Sequence, residues 1–126
     1  MLQNVFYVGI GGFLGASLRY IISLQLSKWF NSNIPIGTLT VNVIGGLLIG
    51  LIMEISLTTD LIPSNLRLFL TTGILGGLTT FSTFSYETIG LFYEGSYLFA
   101  CVNICLNLFL SLFGVILGRL LCKIIF

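Results

Sequence analysis

Four long apolar runs divide this chain, and they leave it very few folds. They cover about Val5 to Leu26, Ile36 to Met53, Leu66 to Tyr93 and Tyr97 to Leu121. A helix needs about 20 apolar residues to cross a bilayer, and each run approaches or exceeds that length. Lipid offers no partner to backbone N–H and C=O groups, so spanning runs of this kind are helices. The breaks carry turn residues: Asn31-Ser32-Asn33-Ile34-Pro35, Asp60-Leu61-Ile62-Pro63-Ser64-Asn65 and Glu94-Gly95-Ser96. Charged residues make up only 7% of the 126 residues, where a soluble domain has roughly 25%. The expected fold is all-α: a single four-helix transmembrane domain over residues 1–126, multi-pass in the bilayer. No cleavable signal peptide is expected, because the start lacks a positive n-region and a small-residue cleavage site. Net charge is +1, and no nucleic-acid partner is expected. Cys101, Cys105 and Cys122 are expected to act as small packing residues. With no histidine in the chain, a side-chain metal or haem site has little to build on.

The third run is the anomalous one. Its middle reads Gly76-Gly77-Leu78-Thr79-Thr80-Phe81-Ser82-Thr83-Phe84-Ser85, with five hydroxyl residues and a Gly-Gly pair. Glycine, β-branched and hydroxyl residues all weaken a helix. Irregular backbone at membrane depth persists only where protein buries it or where it lines a watery cavity. The third helix is therefore expected to be broken near its middle, at a place that handles a polar solute.

Each run also carries two glycines four apart: Gly11 and Gly15, Gly46 and Gly50, Gly73 and Gly77, Gly114 and Gly118. Small residues at this spacing let membrane helices approach closely. Polar residues fall on the same faces. Arg19 continues the Gly11–Gly15 stripe, Thr38 and Asn42 precede Gly46, and Asn103, Asn107 and Ser111 precede Gly114. Such stripes face protein. One polar residue alone is readily explained as hydrogen-bonding glue between helices; three stripes and a hydroxyl run together favour a shared polar path.

Arg19 and Glu87 are the charged residues that lie within the expected segments and not at their ends, and intramembrane charge usually marks function. Arg19 is also near enough to a helix end to snorkel, and Glu87 near enough to bond a neighbouring helix end. Lys28, Trp29, Arg67, Arg119 and Lys123 are expected as interface anchors. Both termini lie on one side, with Arg67, Arg119 and Lys123 there and Lys28, plus Arg19 if it counts, on the other. So weak a bias permits insertion both ways up. An antiparallel dimer with a two-fold axis in the membrane plane would follow, as in inverted-repeat transporters. A pair of related chains of fixed opposite topology is the alternative.

Three motifs, in order on the first three helices, are similar to the signatures of the Fluc (CrcB) fluoride channels. They are Gly11-Gly12-Phe13-Leu14-Gly15-Ala16-Ser17-Leu18-Arg19-Tyr20, Gly37-Thr38-Leu39-Thr40-Val41-Asn42, and Gly76 through Glu87. The resemblance covers essentially the whole chain, and the Thr79–Ser85 run is its most specific part. It implies a dual-topology antiparallel homodimer in a prokaryotic plasma (inner) membrane that exports toxic fluoride passively through two pores. Carried over by position, Phe81 and Phe84 face the pore, Asn42 donates its amide to the ion, and Arg19 sits at the vestibule. Thr38, Ser82, Thr83, Glu87 and Ser111 match polar positions along the path. The resemblance further implies a structural sodium ion on the dimer axis, held by backbone carbonyls at the positions of Gly76 and Thr79. At Asn107 the family carries other polar or aromatic groups, so no role is carried over to it.

The chemistry of such a path is coherent. Fluoride holds its water tightly, so hydroxyl and amide donors must replace that water. Aromatic rings have a positive edge, and Phe81 and Phe84 are three apart. Omitting Lys and Arg from the narrow part keeps binding weak enough for release. The rivals are a small proton-coupled exporter of cationic compounds with Glu87 at its site, a proton-coupled fluoride exporter with Glu87 as relay, and a non-transporting assembly subunit. None of these readings makes the chain an enzyme.

Overall fold

The computed structural model describes every residue from Met1 to Phe126. Four helices are long and apolar enough to cross a membrane: Leu2–Trp29, Ile36–Thr58, Ser64–Tyr93 and Tyr97–Ile125. At 1.5 Å per residue the first is about 42 Å long, more than the roughly 30 Å of hydrocarbon. Pro35 and Pro63 occupy the positions just before the second and third helices, where a missing N–H costs nothing. The second helix ends on two threonines. The Thr58 and Thr59 hydroxyls each donate at 2.7 Å, to the Glu54 and Ile55 carbonyls, groups otherwise near an unpaired helix end. Between the third and fourth helices Gly95 takes φ 78°. Its N–H reaches the Phe92 carbonyl and the Ser96 N–H reaches that of Leu91, the glycine-dependent C-terminal motif that closes a helix inside a tight turn.

The helices extend beyond the expected segments, and at one place this changes the chemistry. The second apolar run ends at Met53, but its helix continues to Thr58 and takes Glu54 inside. Glu54 is 6% exposed. Its carboxylate accepts a 2.8 Å hydrogen bond from Arg119 Nε on the fourth helix, while the Arg119 side chain stays 59% exposed. Arg119 is therefore more than an interface anchor. A charge this buried is sustained by its partner, and hydropathy alone ends a segment at such a residue. Arg67 is likewise tied down, donating from Nη1 to Ser56 Oγ at 3.3 Å.

The glycines sort the helices into two close pairs. A methyl group placed on Gly11 or Gly15 would strike the backbone of Phe69, Gly73, Ile74 or Leu78, so the first helix lies directly against the first half of the third. A methyl on Gly46 or Gly50 would strike the Ser111 and Val115 backbone, and one on Gly118 would come within 2.1 Å of the Leu47 carbonyl oxygen. The second and fourth helices are thus joined backbone to backbone. Between the pairs lies a small apolar core of Val41, Leu75 and Leu78, with Ile22, Leu48, Ile49 and Ile52 packed on it. Most large apolar side chains of the first and fourth helices point outward, as lipid-facing surfaces require.

Gly15→Ala and Gly118→Ala are expected to cost about 1–3 kcal/mol each through overpacking. Gly9 and Gly90 have nothing within 4 Å of an added methyl, so alanine there is expected to be neutral or to gain up to about 1 kcal/mol of helix propensity. Thermal unfolding of the four variants in detergent checks the contrast; equal losses at all four positions would contradict the packing.

Candidate functional site

The third span is interrupted midway. Its first half ends at Leu78 and its second half begins at Phe81. Thr79 and Thr80 between them are extended, with ψ 155° and 118°. The preceding Phe69–Leu75 stretch is π-helical, a wide-turn geometry that often accompanies functional sites. Each backbone group released by the interruption needs a partner at membrane depth. Asn42 on the second helix supplies two. Its Oδ1 accepts the Thr80 N–H at 2.8 Å, and its Nδ2 donates to the Thr80 carbonyl at 3.2 Å. Arg19 Nη1 donates to the Thr79 carbonyl at 3.3 Å, placing its charge at the negative end of the first half-helix. Thr80 caps the second half: its Oγ1 accepts from the Thr83 N–H at 3.2 Å and lies 3.0 Å from the Thr83 hydroxyl. Phe81 and Ser82, in the first turn after this cap, keep N–H groups without a helical acceptor.

A chain of amides extends from this point. Asn42 Nδ2 also donates to Asn107 Oδ1 at 3.0 Å. Asn107 Nδ2 donates at 3.0 Å to the carbonyl and Oδ1 of Asn103, and Asn103 Nδ2 donates to Thr88 Oγ1 at 2.9 Å. The stripe on the fourth helix thus returns to the third. Asn107, on the polar stripe of the fourth helix but with no role carried over from the resemblance, is the link that holds the Asn42 amide. The neighbouring helical register explains this, since Asn103 and Asn107 share a face. Sequence also gave no reason to single out Thr80 from Thr79, yet Thr80 is the residue on which Asn42 closes.

The interruption opens on a cavity of about 450 Å³ whose lining includes Asn42, Thr79, Phe81, Phe84, Asn107 and Ser111. Gly76 lies on its wall as well. The Phe81 and Phe84 rings are 5.5 Å apart at their centroids and tilted by 52°, and Phe81 is 78% exposed. Ser111 Oγ is buried and without a partner. Gly45 forms part of the wall; a methyl there would meet the Thr79 methyl at 2.1 Å. Other expected site residues lie elsewhere. Ser82 and Thr83 are exposed beyond the cavity lining. Thr38 and Glu87 meet at a separate pocket of about 270 Å³ toward the loop that follows the first helix. There Thr38 Oγ1 donates to Glu87 Oε1 at 2.9 Å, and Glu87 Oε2 is buried and unpaired. The hydroxyl therefore restrains one carboxylate oxygen and leaves the other available.

An interrupted helix anchored by amides, beside a mainly apolar cavity that a few amide and hydroxyl groups edge, within four spans, defines a membrane protein built to handle a solute at mid-depth. Its kinship is direct. Residues 6–119 match the family described as CrcB-like protein, Camphor Resistance (CrcB). A Clostridium perfringens protein named fluoride-specific ion channel FluC is 58% identical over 119 residues, covering 94% of this chain and 93% of the relative. A Clostridium novyi protein of the same name is 59% identical over 119 residues, with 94% and 93% covered. One from Ruminiclostridium cellulolyticum is 52% identical over 124 residues, with 97% and 94% covered. This chain belongs to the CrcB family.

Asn42→Ala should leave the Thr80 N–H and carbonyl unpaired and cost about 1–3 kcal/mol or more. Asn42→Asp keeps an acceptor for the N–H but loses the donor to Thr80 and Asn107, and adds a charge, so it should be no better. Limited proteolysis in detergent, with cleavage mapped to residues 76–85, checks this; an unchanged cleavage pattern in both variants would contradict the anchoring role.

Proposed function

We propose that this protein is a fluoride-selective channel that lets fluoride leave the cell passively, in a prokaryotic plasma (inner) membrane. The observation that carries the reading is the cavity at the interruption, where the Ser111 hydroxyl and two phenylalanine rings converge without a basic side chain on the wall, and where an ion would draw on Asn42 only by displacing its Asn107 or Thr80 bond. A small hydrated anion entering it must exchange water for donors. The free Ser111 Oγ is one such donor, and the N–H groups of the first turn after Thr80 are others. The edges of Phe81 and Phe84 add weak positive potential without the tight grip of an ammonium, which suits an ion that must also leave. Arg19 at Thr79 raises the local anion potential at one mouth. Ser82 and Thr83, between Phe81 and Phe84 in the chain, and then Thr38 and Glu87 at the other pocket, extend the polar route. Family membership favours this reading over a proton-coupled exporter working through Glu87.

The working unit is an antiparallel homodimer inserted in both orientations. Its physical support is exposure. The Ser82 and Thr83 side chains, beside the exposed Phe81 ring, lie uncovered on one chain at a depth where lipid offers their hydroxyls no hydrogen-bond partner. A second copy covers them and closes the cavity wall. A structural sodium ion on the dimer axis fits the residues present. The Thr80 N–H, the ordinary helical donor to the Gly76 carbonyl, is taken by Asn42, which frees that oxygen. The Thr79 carbonyl accepts from Arg19 and retains a second lone pair. Two hard oxygens from each of two chains suit a small cation, as unwound backbone does in other transport proteins. The sodium would hold the two interruptions together; the side chains from Phe81 onward serve the anion.

Protein reconstituted in fluoride-loaded liposomes is expected to give fast efflux that needs no proton gradient and is selective over chloride. Phe81→Ile and Phe84→Ile should each reduce that efflux at least tenfold while leaving the elution volume in detergent unchanged. Strict proton coupling would instead favour an exchanger working through Glu87, and normal efflux in both variants would remove the ring-edge mechanism.

Single cysteines introduced near the termini in a cysteine-free background should be labelled by an impermeant maleimide from both faces of the membrane in comparable amounts. Labelling from one face only would exclude the dual-topology homodimer. Replacing sodium with an organic cation during purification is expected to lower the thermal midpoint of the dimer.

A further inference from the structure

A third pocket lies at the start of the third helix, on the membrane face that carries the termini. It sits where the first helix begins, the second ends and the third begins, with a volume of about 490 Å³. Asn4, Ser64, Asn65, Arg67, Thr71 and Thr72 line it, and only Met53 and Leu68 supply apolar wall. No acidic residue is in the lining. The nearest buried acid in sequence, Glu54, is already neutralised by Arg119, and Asp60 belongs to the exposed loop. The Arg67 guanidinium makes one side-chain hydrogen bond, Nη1 to Ser56 Oγ at 3.3 Å, which orients it and leaves its other N–H donors free. The Thr71 hydroxyl is spent on the Arg67 carbonyl at 2.8 Å. The side chains of Asn4, Ser64, Asn65 and Thr72 have no partner within the chain. The pocket therefore presents one fixed cation and several unspent amide and hydroxyl donors.

We propose that this pocket binds the phosphate of an anionic membrane phospholipid. A guanidinium meets phosphate oxygens in a two-pronged, charge-assisted geometry that few other anions match. The amides and hydroxyls around it supply the further donors that a phosphodiester and a polar headgroup accept. Position selects lipid over a soluble phosphate. Ser64 opens the third span and Asn4 lies in the first turns of the first helix, which sets the pocket at the level of the headgroups. Leu61 and Leu66, beside the pocket residues in the chain, are large, apolar and exposed, as a surface touching acyl chains would be. A lipid held here would tie the start of the third helix to the end of the second, on the face of the bundle that carries both termini. Thr71 borders both this pocket and the cavity at the interruption, but the test reads lipid retention and not ion flux, so its failure is distinguishable from failure of the channel reading.

The test uses the full chain in neutral detergent, titrated with phosphatidylglycerol, phosphatidylcholine or inorganic phosphate. Bound lipid is counted by native mass spectrometry and stability by thermal unfolding. The wild-type protein is expected to retain phosphatidylglycerol over phosphatidylcholine about tenfold, the size of one lost charged hydrogen-bond contact. Arg67→Gln should abolish that preference, Arg67→Lys should keep part of it, and Asn65→Ala combined with Thr72→Ala should reduce it. If Arg67→Gln fails to fold, the lysine and double variants carry the comparison. A preference unchanged within twofold in the lysine and double variants, or in Arg67→Gln, overturns the proposal. Stabilisation by inorganic phosphate equal to that by phosphatidylglycerol, with the same dependence on Arg67, also overturns it in favour of a soluble-anion site.

Discussion

The pair of hydrogen bonds between the Asn42 amide and the Thr80 peptide is the interaction on which the rest of this structure depends. A transmembrane helix that stops hydrogen bonding in mid-bilayer strands an N–H and a C=O where no water is at hand, at a cost of several kcal/mol per group. One primary amide has both a donor and an acceptor in a plane, and so it reproduces the partner that another peptide would offer. Asn42 does this from the second helix, at 2.8 and 3.2 Å. With that peptide satisfied, Thr80 turns away from the first half-helix and caps the second through Thr83. The Gly76 carbonyl loses its ordinary donor, and the Phe81 and Phe84 rings are aimed at the cavity.

Close approach of the helices makes this reach possible. The first helix meets the third through Gly11 and Gly15, and the second meets the fourth through Gly46, Gly50, Gly114 and Gly118. Each pair forms a unit held by backbone contact instead of interdigitated side chains. Asn42 crosses between the units at the interruption, with Asn107 behind it on the fourth helix, and Thr38–Glu87, Arg67–Ser56 and Asn103–Thr88 cross elsewhere. The amide chain from Asn42 to Thr88 carries four polar side chains through the protein with each one paired, which in a low-dielectric interior rigidifies the fold. The unpaired exceptions, Ser111 Oγ and Glu87 Oε2, stand out against that background, and both lie at walls of pockets.

Much of the fold was legible from periodicity. Apolar runs placed four spans, glycines four apart marked their contacting faces, and the density of hydroxyls and glycines between Gly76 and Ser85 marked the weak point of the third helix. Those signals are local, and local propensity acts on residues close in sequence. Glu54 shows the limit. Hydropathy ends a segment at a carboxylate, because desolvating a lone charge is prohibitive, and only the position of Arg119 on another helix makes it tolerable. Asn107 shows the same limit from the other direction. As one more asparagine on a stripe it could have been glue or path, and the geometry makes it the partner that orients Asn42.

What the chain determines by itself is its solvent and its inventory. So few charges and four runs of spanning length commit it to lipid, and the residue types commit its interior to hydroxyls, amides and phenylalanine edges. Tertiary structure decides which of those groups remain available. Asn42 is spent on Thr80, Arg19 on Thr79 and Thr38 on Glu87, while Ser111 is left open to the cavity. That division depends on distances between helices far apart in sequence, and such distances are set by packing, which composition and period do not encode.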